Sequence, residues 1–233
     1  MKWRSSLAES ILSCSLMAKT KATEEMDRLQ GNLRPFLKEH GFRVKARTAN
    51  RATSDGLTHV INFQMGRFDP PGTSYIPWFR QNLYGKFTVN VGVYVPEVAI
   101  LRYGSKERSF AAEVECCVRM RLAQLGGEKA DRWWNLPGDQ RAETDLRRRF
   151  ENDAFPFLAR LGNRDLLLQE FESNPVIGGP GSRITSAIIL AARGLTEPAR
   201  SLLSAQIRAS RSIDHIEYVR RLAEQIGLGR IDV

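Results

Sequence analysis

Phe87-Thr88-Val89-Asn90-Val91-Gly92-Val93-Tyr94-Val95 alternates apolar and polar residues along its whole length. Side chains alternate across a strand, so Phe87, Val89, Val91, Val93 and Val95 share one face, and Thr88, Asn90, Gly92 and Tyr94 the other. A parallel strand covered on both sides would read apolar throughout, so this pattern predicts a half-buried strand of an antiparallel sheet. Period-two patterning on either side predicts further strands over Phe42–Arg51, His59–Arg67, Val98–Tyr103 and Phe110–Leu125.

Helical periodicity flanks these strands. Met26, Leu29, Leu33, Phe36 and Leu37 recur at spacings of three and four, placing helix between Ser5 and His40, with Gly41 as a left-handed cap and Gly31 and Pro35 as candidate breaks. After Leu125, Asp131-Arg132-Trp133-Trp134 reads as a short turn or helix, on which the two tryptophans would point about 100° apart. Longer helices follow over Arg141–Gly162 and Arg164–Ser173. The run Asn174 to Gly181 is dense in residues that stop both helix and strand. Beyond it come three more helices: one with an apolar stripe of Ile184, Ala187, Ile188, Ala191 and Leu195, a second capped by Thr196, and a third capped by Ser212 that turns Ile216, Val219, Leu222, Ala223 and Ile226 inward. Strands grouped between groups of helices define an α+β class. The expected architecture is an antiparallel sheet of four to five strands packed against helices, with a C-terminal helical extension. Residues 1–175 would form the α+β domain with its N-terminal helix, 176–182 a linker, and 183–233 the three-helix extension.

A chain of 233 residues can bury a core without metal or disulfide staples, and 42% hydrophobic with 26% charged residues excludes a disordered or rod-like protein. The net charge of +9 is uneven: residues 1–130 carry 20 basic and 12 acidic side chains, the remainder 15 and 14. An anion-attracting field therefore belongs to the first half. Three cysteines cannot pair completely, and Cys116 and Cys117 are adjacent, which points to a reducing, cytoplasmic compartment. Lys2 and Arg4 precede a stretch ending in Ile11-Leu12-Ser13-Cys14, but Glu9 interrupts it, and an amphipathic helix from Ser5 accounts for Leu7, Ile11 and Leu12. No apolar run approaches the roughly 18 residues needed to cross a bilayer, so no membrane partner is expected.

No catalytic constellation emerges, and no cofactor or metal is expected. His40, His59 and His215 lie in separate elements without a second ligand at helical spacing. Cys117, beside Arg119 in sequence parity, reads either as an activated thiol or as a structural one. Gly178-Gly179-Pro180-Gly181-Ser182 lacks the lysine of a phosphate-binding loop. The stronger signal is stereochemical: Asn62, Gln64, Asn90, Glu115, Arg119 and Arg121 project opposite the apolar rows, with Arg43, Lys45 and Arg47 alternating likewise and Gly92 leaving room among them. Such a face either presents directional donors to a ligand or is simply the solvated side of a sheet. Residues 68–86 form a long connection in which Tyr75, Trp78, Phe79 and Tyr84 accompany Arg80, suited to anchoring a protein interface or to stacking on bases.

Taken together, Gly41-Phe42, Val60-Ile61-Asn62-Phe63-Gln64, Phe87 to Tyr94, Glu115-Cys116-Cys117-Val118-Arg119-Met120-Arg121 and Trp133-Trp134 resemble, in order over about residues 25–165, the bacterial family called domain of unknown function 4304. The resemblance implies an α+β domain without an assigned activity and supplies no catalytic residues. The functional expectation is a protein-binding module, with bacterial defence or toxin immunity as a setting by analogy only. The alternatives are single-stranded nucleic-acid binding through a basic sheet face, and an enzyme with a polar cleft around Glu115, Cys117, Arg119 and Arg121. Oligomeric state is not legible.

Overall fold

A computed structural model describes residues 19–66, 82–104, 109–137, 140–179 and 181–231. Helix α1 (Lys21–Glu39) opens on Thr20, whose hydroxyl accepts the Thr23 amide at 3.3 Å. It continues through both Gly31 and Pro35. It ends where Gly41, at φ 81°, lets the Gly41 and Phe42 amides turn back onto the Lys38 and Leu37 carbonyls. Strands β1 (Arg43–Lys45), β2 (Thr48–Ala52), β3 (Thr58–Met65) and β4 (Lys86–Tyr94) follow. Next come α2 (Pro96–Tyr103), a 3-10 turn at Glu113–Glu115, β5 (Val118–Arg121), α3 (Leu122–Leu125) and β6 (Trp134–Asn135). Helix α4 (Gln140–Arg149) passes through a π turn (Phe150–Ala154) into α5 (Phe155–Arg160). The remaining helices are α6 (Arg164–Ser173), α7 (Pro175–Gly178), α8 (Ser182–Ala192), α9 (Thr196–Ala209) and α10 (Ile213–Gln225).

The fold is α+β. The strands lie in the order β1-β2-β3-β4-β5, every pair antiparallel, and β6 pairs with the start of β4. One face carries Ile61, Phe63, Phe87, Val89, Val91, Val93 and Val118, all buried against Met26, Leu29, Leu33 and Phe36 of α1 and Leu146, Phe150 and Phe157 of the α4–α5 helix. The π turn has a packing role. Residues five apart on an α-helix diverge by about 140°, whereas the wider turn lets Phe150 and Phe155 stack at 6.1 Å, and Phe155 reaches Phe36, His40 and Phe42. The same hydrophobic cluster runs on through Leu161, Leu167 and Phe171 into Ile184, Ile188, Leu203, Leu222 and Ile231 of the C-terminal helices.

Several sequence expectations are corrected. The strand expected over Val98–Tyr103 is helix α2, with Pro96 at its first position and Gly104, at φ 61°, closing it onto the Ile100 carbonyl. Phe42–Arg51 is two strands, reversed at Ala46, whose φ of 47° supplies the left-handed turn residue without a glycine or asparagine to announce it. Phe110–Leu125 is strand only at Val118–Arg121. Trp133 and Trp134 are not helical, since Trp134 belongs to β6. Leu195, expected inward, is exposed, and Thr196 is the first residue of α9 and caps nothing; Ser212 does cap α10, accepting the His215 amide at 3.3 Å. Strand β4 is buried on both faces rather than half-buried, because α2 and residues 111–116 cross its second side. Val60, Tyr94, Ala99, Ala111 and Cys116 form a small second core there. Asn50 ties down this cover, with Oδ1 accepting the Ala111 amide at 2.6 Å and Nδ2 donating to the Ala111 carbonyl at 3.2 Å. Gly92 leaves room for this cover and not for a ligand: a Cβ there would lie 2.8 Å from the Val118 carbonyl oxygen and 3.0 Å from the Cys116 sulfur.

Candidate functional site

Register places four polar residues in a row across the sheet: Thr48 opposite Asn62, Asn62 opposite Asn90, and Asn90 opposite Arg121. They lie on the second face beyond the α2 cover, with Gln64 one step along β3; Thr88 and Asn90 are buried there, and Arg121 on the edge strand β5 is the member with an exposed fraction. The Asn62 amide donates to the Thr48 hydroxyl at 2.9 Å. Arg121 Nη1 donates to Gln64 Oε1 at 2.8 Å and to Asn90 Oδ1 at 2.5 Å, and Asn90 Nδ2 closes the triangle by donating to Gln64 Oε1 at 3.0 Å. Asn90, buried mid-strand, is thereby satisfied, which offsets its poor fit to a strand interior. The backbone ends its strand at Arg121 because the Arg121 amide is capped by Gln124 Oε1 at 3.2 Å, starting α3. The guanidinium of Arg121 sits 5.7 Å from the Trp133 ring centre, its Nε is 3.6 Å from Asp131, and 23% of the side chain remains exposed. The result is a cation held from three sides with an edge toward solvent.

The other expected members of the polar face fall elsewhere. Arg119 pairs with Glu113 at 2.8 Å, and Glu115 is a buried residue of the 3-10 turn, off the strand altogether. Arg43 and Lys45 are on β1, at the edge opposite β5, about 19 Å away at four inter-strand spacings. Arg43 donates to the Ser109 carbonyl at 2.7 Å, and Arg47 lies in the hairpin turn between β1 and β2. The five basic groups therefore do not form one patch. Tyr75, Trp78, Phe79 and Arg80 lie outside the described residues. Tyr84 is exposed two residues before β4, at the end of that strand which pairs with β6. The base of that connection is tight: the Gly66 amide donates to the Lys86 carbonyl at 2.8 Å, and a Cβ on Gly66 would collide with the Leu83 carbonyl oxygen.

Electrostatics work against thiol chemistry. Burial pushes the Cys117 thiol up to about 12, and its sulfur donates to the Val93 carbonyl at 3.5 Å. Burial, with Cys117 and Glu113 nearby, raises the Cys116 thiol well above its ordinary value. Among the described residues no group of three or more His, Cys, Asp or Glu side chains could hold a metal ion, and no helix is long and apolar enough to cross a membrane. Sequence reasoning missed the partners that fix these arginines, Glu113, Asp131 and Trp133. It also missed a network around the buried Arg149, which binds the half-exposed Glu128 at 2.6 Å and Asp145 at 3.0 Å, while Asp145 accepts the Trp134 indole N–H at 3.1 Å. Trp134 in turn stacks on Phe87 at 5.6 Å. The i, i+4 spacing of Asp145 and Arg149 is the one local signal that could have found it.

The antiparallel sheet between helices, with a fixed arginine on its edge strand, defines an α+β class by architecture alone. The chain belongs to the family described as domain of unknown function (DUF4304), whose model matches residues 33–160, from the second half of α1 through α5. No curated protein and no solved structure matches the chain.

Proposed function

We propose that the chain is a non-enzymatic, cytoplasmic protein-binding module whose contact surface is the sheet edge at β5, centred on Arg121. The observation that supports it is the fixed guanidinium: Gln64 and Asn90 hold one edge, Trp133 lies beneath, and the outer edge stays accessible. A partner that meets such a group loses little side-chain entropy, and arginine and tryptophan are the residue types that most often dominate interfaces. Asn62 and Gln64 flank it with carboxamides, and exposed Tyr84 supplies an aromatic anchor at the same end of β4. Free thiols at Cys116 and Cys117 accord with a reducing compartment. The single-stranded nucleic-acid reading draws less support, because Arg43 and Lys45 lie on β1, at the sheet edge opposite Arg119 and Arg121, and the basic groups form no continuous track for a phosphate backbone.

The test is capture at endogenous expression in the native host, comparing the wild type with Arg121→Ala/Trp133→Ala after thermal melts establish that the variant folds. A discrete protein recovered by the wild type and lost by the variant is the expected result. Recovery of no protein above background, or of the same proteins by both, refutes the reading.

A further inference from the structure

Far from Arg121, at the opposite edge of the sheet, α1 and the β1–β2 hairpin enclose an open groove of about 540 Å³. Thr23, Asp27, Gln30, Gly31 and Arg34 line it from α1, at the four- and seven-residue spacings that bring side chains onto one stripe of a helix. Val44, Ala46 and Arg47 line it from the hairpin, and Lys19 closes one end. Two features of this groove are unresolved within the chain. Gln30 is 9% exposed, and its Nε2 is buried with no hydrogen-bond partner. A buried donor without an acceptor is destabilising, and native proteins rarely keep one unless something external completes it. The charge is also uncompensated. Lys19 and Asp27 neutralise each other at 2.6 Å, whereas Arg34 and Arg47 have no carboxylate partner among the described residues.

We propose that this groove binds a small phosphate ester, its phosphate between Arg34 and Arg47, with Gln30 turning its buried Nε2 outward to donate to one oxygen. A tetrahedral oxyanion can accept from an amide and two guanidiniums arriving in different directions, while a planar carboxylate offers its oxygens in one plane. The groove exceeds the size of an inorganic ion by several-fold, since a water occupies about 30 Å³ of liquid, and Val44 and Ala46 provide apolar wall for an organic remainder. Gly31 makes the floor: a Cβ built there meets nothing within 4 Å, so the space above it is open.

Thermal-shift and calorimetric titrations of the full chain with ribose 5-phosphate, ribose, inorganic phosphate and succinate test the site. Ribose 5-phosphate should bind saturably, at least tenfold more tightly than inorganic phosphate or succinate, and ribose should not bind. Arg34→Gln and Arg47→Gln should each weaken ribose 5-phosphate binding about tenfold. Gln30→Leu should weaken binding similarly while raising the ligand-free melting temperature, because it removes the orphaned donor. Gly31→Leu fills open space and replaces a mid-helix glycine, so it should melt no lower than wild type and bind nothing. Absence of saturable binding by wild type, equal affinity for inorganic phosphate or succinate, or unchanged binding by Gly31→Leu would each overturn the assignment.

Discussion

Acidification from pH 7 to pH 5 should destabilise this protein through a single side chain, His59. It lies 3% exposed on β3, with Nδ1 3.2 Å from the Arg51 guanidinium and Nε2 3.3 Å from the Leu161 carbonyl oxygen. Arginine can only donate, so Nδ1 is the acceptor and the ring proton sits on Nε2, donating to Leu161. A second proton on Nδ1 would be buried and would face a positive charge. Burial, and then the Arg51 charge, lower the group from 6.5 to about 4 despite the opposing Leu161 hydrogen bond. Between those values the unfolded chain takes up a proton that the native state refuses, so stability rises with pH across the window and is complete above 6.5. The two binding curves give a loss of roughly 2 kcal/mol between pH 7 and pH 5, or about 4–8 °C in melting temperature for a chain of this size. Urea unfolding at pH 7, 6 and 5, on wild type and His59→Met, checks this, and the difference between the two slopes isolates His59. Asp145 and Glu128, whose carboxyls are held below their ordinary values by arginine hydrogen bonds, lose their contribution only at lower pH. A wild-type stability that is flat over this range, or an equal slope in His59→Met, would refute the reasoning.

Asn50→Ala leaves both the amide and the carbonyl of Ala111 without their partner inside the second core, so a loss of about 2–4 kcal/mol is expected, together with faster hydrogen exchange at Ala111 than at β3 amides. Arg149→Met removes the buried guanidinium from Glu128 and Asp145, which keep Arg132 and Arg148 as partners; urea unfolding should show a loss of about 1–2 kcal/mol. In a Cys14→Ser background, burial keeps the native Cys117 thiol protonated at pH 8, so a disulfide reagent should label urea-unfolded protein orders of magnitude faster than native protein; native labelling at a comparable rate would contradict the burial of its sulfur.

The central strand was the most legible element because its alternation extends without interruption, and α1 was legible because five apolar residues keep helical phase up to Gly41. Helix α2 was misread since Val98-Ala99-Ile100-Leu101 carries no polar residue to reveal its period; Pro96 and Gly104 marked both ends and were the better evidence. The parity of Asn62, Gln64, Asn90, Arg119 and Arg121 correctly places them on one face, since strand alternation is a local property. What fills that face is not local. Glu113 neutralises Arg119 from a turn, Trp133 and Asp131 approach Arg121 from beyond α3, and Cys116 occupies the space over Gly92, so each depends on the path of a loop that no period encodes.

The continuity of the hydrophobic cluster from Met26 to Ile231 bears on how the family can vary. The matched region stops at residue 160, yet Leu161, Leu167, Ile188 and Leu222 belong to the same dry interior as Phe150 and Phe157. A family member without the last five helices would present the apolar side of α2 and α5 to water, an area that favours self-association. Such a member should carry lysine, glutamate or serine on the sides of α2 and α5 that meet α8 and α6, or recruit a second chain to cover them. The polarity of those helix sides then serves as a marker, readable in any member's sequence, of whether the domain travels with its own helical cover or borrows one.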